Sequence, residues 1–279
     1  MKSQAYHLLF LDDSWIMKTI RGVFYFIGGC LIIGLLWTVV SRNSYDESMD
    51  THLIPSISAT FEKCKLVFEQ PFRTSDNEFD SGIFWVIWSS IKRVSIGFFY
   101  AMLVGIPIGI LMGSNKLVGN ILNPVVQILR PVSPLVWLIL AMYVIRTVPE
   151  SNMFMIFITC IWPTIINTSF GVASLPDDHK NVAKAFDFSM WKYVTKVVIP
   201  FATPHIITGM RLSIGIAWMV IVAGEMLSGA NGIGFFAWNS YNSQEIDSII
   251  ISIFVIGLVG VALDKAFDFL HKSVAFEVK

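Results

Sequence analysis

Nowhere in the 279 residues does a phosphate-cradling G-x-x-x-x-G-K-[ST] loop occur, so any nucleotide-driven work must draw on another chain. Charge is scarce as well. Only 14% of residues are Asp, Glu, Lys or Arg, against roughly a quarter in soluble domains, which excludes an ordinary water-soluble globule. The formal net charge of zero offers no global attraction to nucleic acid. Cys30, Cys64 and Cys160 are too few and too scattered for a disulfide framework or a metal site, and read as packing residues. His7, His52, His179, His205 and His271 lie far apart, and none has a Cys or His at ligand spacing. The apolar stretches hold no Ser/His, Asp/Asp or His-rich pair, which argues against an intramembrane enzyme. There is no internal repeat, low-complexity tract or separate soluble region, so one domain is expected over 1–279.

What the chain has instead is apolar bulk: 54% of its residues are hydrophobic, grouped in blocks of the length a helix needs to cross about 30 Å of hydrocarbon. The expected class is an all-α integral membrane protein with six spans, at 20–41, 82–112, 118–147, 152–176, 204–228 and 247–270. A polar stretch with Asp12, Asp13 and Lys18 precedes the first, and no small-x-small site follows it, so it is expected to be a retained helix. With the N-terminus inside, the inner segments carry Lys2, Lys18, Arg21, Lys116, Lys180, Lys184, Lys192, Lys196, Lys265, Lys272 and Lys279. The outer ones carry Arg42, Lys63, Lys65, Arg73 and Arg146. That bias places both termini and the segment 177–203 in the cytoplasm. The outer segment 42–81 contains "SISATFEKCKLVFEQPF", which reads either as a short interfacial helix presenting Phe61, Leu66 and Phe68 or as an ordered loop.

Segment 177–203 is basic and half polar between two apolar runs. Asp177 and Asp178 follow Pro176 and favour a helix start. The chain must turn at Asp187, Ser189 offers a second N-cap, and Pro200 is expected to stop the second helix because it has no backbone N–H to donate. Val182, Phe186, Met190, Val194 and Val197 form an apolar stripe, with Lys184, Lys192 and Lys196 elsewhere. One alternative reading of this pattern is an amphipathic helix resting on the inner leaflet, its basic face toward anionic lipid.

The intervals in "NVAKAFDFSMWKYVTKVVIP" (181–200) support another reading. They match Glu-Ala-Ala, three residues, Gly, nine residues, then Ile-x-Leu-Pro, with Asn181, Val182 and Ala183 as the triplet, Asp187 at the glycine place and Pro200 closing. The segment resembles the "EAA" loop of the permease subunits of binding-protein-dependent ABC importers. Asn181 stands where the family has Glu, which removes a charge. Asp at the glycine place is physically tolerable, because Asp visits left-handed geometry at modest cost. The resemblance covers about 82–270, through "SSIKRVSIGF", "ILRPVSPLVWL", "IWPTIINTSFGV", "GMRLSIGIAWMVIVAGEML" and "GIGFFAWNSYNS". These words are similar to the taurine/nitrate permease group, and most to its nitrate, cyanate and bicarbonate branch.

That resemblance implies a type I importer permease fold and a multi-pass protein of the bacterial cytoplasmic membrane. It also implies a homodimer about a central pathway, cytoplasmic ABC ATPase subunits as partners, and an extracytoplasmic substrate-binding protein. ATP and magnesium would be bound by the ATPase chains and no cofactor by this one. Asn181, Ala183, Phe186, Asp187 and Pro200 become ATPase-coupling residues, with Phe186 as anchor. The cargo implied is a small inorganic oxyanion. A sulfonate permease is the neighbouring alternative, and a channel or ion-coupled transporter the alternative of a different class, though the latter usually shows inverted repeats or acidic relays.

Charged residues inside apolar spans need a reason. Arg211 is expected near the inner end of its span, where snorkelling or a carbonyl partner suffices. Arg130 precedes Pro131 and Pro134, which break a helix. It is read either as repairing freed carbonyls or as setting the sign of the potential along an anion route. Glu225 is assigned to architecture, pairing with Arg93 or capping the glycine-rich turn that follows. Asn167 and Thr168, with Thr164, form a polar strip beside Pro163. With Ser213 they are candidates to line the pathway, the alternative being interhelical packing. The turn at 228–242 carries Phe235, Phe236 and Trp238, an outer gate or an interfacial aromatic belt.

Overall fold

The computed structural model describes residues 3–46, 51–75 and 81–275. Lys2 and Lys279, counted above among the inner charges, lie outside them. The chain forms two compact units, Met1–Leu66 with Ile246–Ser248, and Val67–Glu245 with Ile249–Lys279.

In the first unit, helix α1 (Ser3–Asn43) runs into a two-residue antiparallel pair, β1 (Tyr45–Asp46) and β2 (Thr51–His52), followed by α2 (Ile57–Val67). The returning chain is tied back to α1 by Trp37, whose indole donates to the Pro55 carbonyl at 3.0 Å, and by Ser41, which donates to Ile54 O at 2.9 Å. The α2 segment is therefore a helix, with Phe61 and Leu66 exposed. Thr60 on its opposite face is buried and donates to Asp247 Oδ1 at 2.8 Å. Within Ile20–Asn43 the most apolar stretch buries nothing inside the chain. Cys30 is exposed on it, so the packing role expected of the cysteines applies to buried Cys160 and not to Cys30.

The second unit holds α3 (Ile83–Ser114), α4 (Lys116–Leu129), α5 (Pro134–Ile145), α6 (Val148–Ala173), α7 (Asp177–Ala185), α8 (Met190–Tyr193), a π-turn at Val194–Val198, α9 (Ile199–Ser228) and α10 (Ile233–Asn242), with most of α11 (Ile246–Ala275). Helix α6 is the centre, packed against both α3 and α9. Close approach to α3 follows from small residues every fourth position: Gly97, Ala101, Gly105, Gly109 and Gly113. A Cβ at Gly105 would meet Thr164, and one at Gly109 would meet Thr168 and the Ile165 carbonyl. On the other side of α6, Gly209 abuts Asn167 and Gly224 abuts Met155. Met155, Ile156 and Cys160 are completely buried between these neighbours.

Five helices among the described residues are long and apolar enough to cross a membrane: Ile20–Asn43, Ile83–Ser114, Val148–Ala173, Met190–Ser228 and Ile246–Leu270. Taken as one span, α4 and α5 make a sixth, bent by 92°. The bend falls where Pro131 and Pro134, three residues apart, each remove a ladder donor. The expected fifth span, 204–228, begins much earlier, at Met190. Pro200 does not stop the helix. The ladder widens into the π-turn, where the Ile199 N–H bonds Val194 O five residues back, and the chain continues helical past Pro200 and Pro204.

Candidate functional site

Helix α7 starts after Pro176 with Asp177 and Asp178 at its positive end. Lys180 Nζ donates to Asp177 Oδ1 at 2.9 Å, and that hydrogen bond holds the Asp177 carboxyl below its usual range. The chain reverses at Asp187, whose φ of 47° is the left-handed conformation that the glycine place of the motif requires. Ser189 then caps α8 by accepting from the Lys192 N–H. The segment is held to the body through a core in which Val198, Ala202 and Ile206 pack with Val172 and Leu175.

Outside that core the two short helices leave large apolar side chains uncovered: Phe186 at 72% exposure, Met190 at 76% and Trp191 at 78%, with Val182 beside them. Val194 and Val197 turn inward instead, because the break at Asp187 ends the register of a single stripe. Asn181 and Pro200 are exposed, whereas Ala183 is buried at 4% and packs the helices rather than offering a contact surface. Trp191 was not singled out from the sequence. Its signal was its place next to Met190 just inside an N-cap.

The proposed pathway residues are rearranged by burial. Thr164, Thr168 and Ser213 are completely buried between helices. Ser213 Oγ donates to Cys160 O at 2.8 Å and lies 3.0 Å from Thr164 Oγ1, joining α6 to α9. Thr168 lies against Gly109 with its hydroxyl unpaired. Neither Thr168 nor Ser213 presents surface to a route, since the small residues of α3 and α9 bring the helices into contact over them. Asn167 is half-buried and spends its Nδ2 on the Pro163 carbonyl at 2.8 Å.

Toward the other end of α9, Glu225 is wholly buried and triply engaged. Arg93 Nη1 donates to Oε1 at 2.8 Å, while Ser90 Oγ and the Gly234 N–H each donate to Oε2 at 3.0 Å. Ile233 N–H in turn donates to Ser90 Oγ. Glu225 thus pairs with Arg93 and also caps the start of α10, linking α3, α9 and α10. Gly229 closes α9 with a left-handed φ of 70°, and at Gly232 any Cβ would collide with the Glu225 carboxylate. The stretch read as a turn is therefore largely a ten-residue helix. On it Phe235 and Phe236 are half-buried, and Trp238 is exposed and stacked on Tyr241 with centroids 5.7 Å apart.

Arg211 has partners that the sequence did not suggest. It makes a two-pronged bond to Asp264, at 2.8 and 2.9 Å, and a third to Asp268 at 3.1 Å, fastening α9 to α11. Arg130 is the opposite case. It caps α4 through its backbone, its guanidinium is exposed, and it borders two cavities at the α4–α5 break. No hydrogen bond or ion pair to the described residues engages it, so the expected repair of freed carbonyls is not made.

A body of helices long and apolar enough to cross a membrane, burying most of its polar groups against itself, defines an integral membrane protein, and α7 with the first turn of the helix leading into α9 leaves Phe186, Met190 and Trp191 uncovered. Residues 105–279 match the family described as binding-protein-dependent transport system inner membrane component, and the chain belongs to that family. Membership implies a membrane setting, a separate substrate-binding protein and a separate ATPase. The chain is 41% identical over 218 residues to the nitrate import permease protein NrtB of Leptolyngbya laminosa, covering 78% of this chain and 77% of that one. It is 38% identical over 250 residues to the bicarbonate transport system permease protein CmpB of Synechocystis sp., covering 89% and 88%. A solved chain of the MetNI methionine ABC transporter, in inward-facing conformations, shares the fold with a TM-score of 0.62 at 14% identity. That match covers 69% of this chain and 97% of the other.

Proposed function

We propose that this chain is the permease subunit of an ATP-driven importer for a small inorganic oxyanion, nitrate or nitrite before cyanate or bicarbonate. The observation that carries this is the extent of its likeness to permeases named for nitrate and bicarbonate, 41% and 38% identity over most of each chain. Two copies would form the pathway, with both termini and α7–α8 in the cytoplasm. An outer binding protein would deliver the cargo, and paired ATPases binding ATP and magnesium would drive closure. Phe186, Met190 and Trp191 would fill an apolar groove on the ATPase, with Asn181, Asp187 and Pro200 shaping the element that carries them. Phe235, Phe236 and Trp238 would close the outer mouth. The loop 229–246 has no Lys or Arg, so a ring of fixed positive charge does not select anions there.

The complex reconstituted with its cognate binding protein should import labelled nitrate, with unlabelled nitrite, then cyanate or bicarbonate, competing better than alkyl sulfonates. Sustained uptake of taurine without nitrate would overturn the cargo and leave the permease role intact.

A further inference from the structure

Three donors without a partner among the described residues belong to side chains lining the break between α4 and α5. The indole Nε1 of Trp137 is buried and has no partner. It belongs to a residue lining a cavity of about 230 Å³, together with Arg130, Pro131, Ser133 and Trp162. A buried N–H without an acceptor is costly, and such a group calls for an occupant that supplies the missing oxygen. Elsewhere the fold does supply one: Trp85 donates to Phe72 O and Trp218 to Ile256 O. The Arg130 guanidinium is likewise unengaged, whereas Arg93 and Arg211 are both held by carboxylates. The third donor is Ser133, the N-cap of α5, whose hydroxyl makes no capping bond.

The setting favours negative charge. Ser133 and Pro134 open a twelve-residue helix, so its positive end faces the cavity. No acidic residue lines this cavity or the neighbouring one of about 670 Å³, which Arg130 borders with Asn123 and Gln127. Broken backbone inside an apolar segment is tolerated where it lines a cavity, and half-helix N-termini in such places point at anionic groups.

We propose that the α4–α5 break is an anion subsite for a planar, singly charged oxyanion, held by the Arg130 fork, the Trp137 indole N–H and the Ser133 hydroxyl. The planar guanidinium matches two coplanar oxygens of nitrate or bicarbonate and leaves the third for the indole. A tetrahedral sulfonate head bearing an alkyl tail suits this arrangement less well. The identity of the natural occupant rests on the oxyanion-import reading above, but the presence of the subsite does not.

The test uses the purified permease–ATPase complex without its binding protein. Subtracting the tryptophan fluorescence of Trp137→Phe from that of the wild type isolates Trp137, and nitrate is titrated at constant ionic strength. The difference signal should change saturably, vanish in Arg130→Gln and persist in weakened form in Arg130→Lys. In proteoliposomes, Trp137→Phe and Arg130→Gln should each lower maximal nitrate uptake about tenfold, as expected for losing one charge-assisted contact. The binding protein's own affinity should not change. A flat difference signal, or a saturable one that survives Arg130→Gln, overturns the subsite. A wild-type complex that imports nitrate while the signal stays flat removes the subsite alone. A saturating signal without any oxyanion import removes the import reading and leaves the subsite standing.

Discussion

Glu225 concentrates the energetic risk of the molecule in one side chain, because a carboxyl group buried in an apolar helix is satisfied only while Arg93, Ser90 and the Gly234 N–H all face it. Glu225→Ala strands Arg93, and removing one partner of a buried pair costs about 3–5 kcal/mol. Thermal unfolding in detergent should show that loss, with the double variant Arg93→Met/Glu225→Met recovering much of it. A single substitution as mild as a surface one would contradict the network. The pairing of Glu225 with Arg93 was legible, since two opposite charges in apolar spans have few other options. So was the left-handed Asp187, from its place in the motif. The partners of Arg211 were not legible, because Asp264 and Asp268 follow 53 and 57 residues later on another helix, and no spacing rule in the sequence pairs the two helices. Thr168 and Ser213 were recognised as polar, but polarity does not say which neighbour covers a side chain. Gly109 covers Thr168, and α6 covers Ser213.

Elements behave differently from residues where proline is concerned. Pro131 and Pro134 fall at the break of the third span, yet Pro107, Pro124, Pro163 and Pro204 lie inside continuous helices, and before Pro200 a π-turn at Val194–Val198 shifts the ladder by one residue. Composition alone does not distinguish these outcomes. The glycine stripe of α3 was present in the sequence as a period of four, and its meaning emerges only against α6. Gly109→Leu would drive a side chain into Thr168 and the Ile165 carbonyl, and overpacking of this kind costs about 1–3 kcal/mol. The melting temperature should fall, while the same change at Gly215, where a Cβ would meet nothing, should leave it nearly unmoved. For α7 and α8, Phe186→Ala should leave the permease folded and inserted, because the side chain is exposed. It should weaken the hold on the ATPase by about 2 kcal/mol or more, the usual cost of truncating an aromatic anchor. Co-purification against a salt and detergent series reads this, and an unchanged complex removes Phe186 from the interface.

At the scale of the whole molecule, the hydropathy blocks carried most of the architecture, because a helix must be long and apolar to cross hydrocarbon whatever its neighbours are. What they could not carry is how those helices divide the work. α1 leaves its apolar surface uncovered within the chain, whereas α6 and α9 bury theirs around small and polar residues. α4 and α5 bend by 92° around unengaged donors. The proposed handle for receiving work is the exposed apolar face of α7–α8, where Phe186, Met190 and Trp191 stand uncovered. That ATP hydrolysis on a partner drives oxyanion import through this chain can be tested by nitrate accumulation in proteoliposomes holding the complete complex, with ATP enclosed on the ATPase side and the binding protein outside. Accumulation against a concentration gradient should require both ATP and the ATPase, and should collapse in Phe186→Ala. Equal accumulation by this chain alone under a proton or sodium gradient, without ATPase, would rule out ATP-driven import.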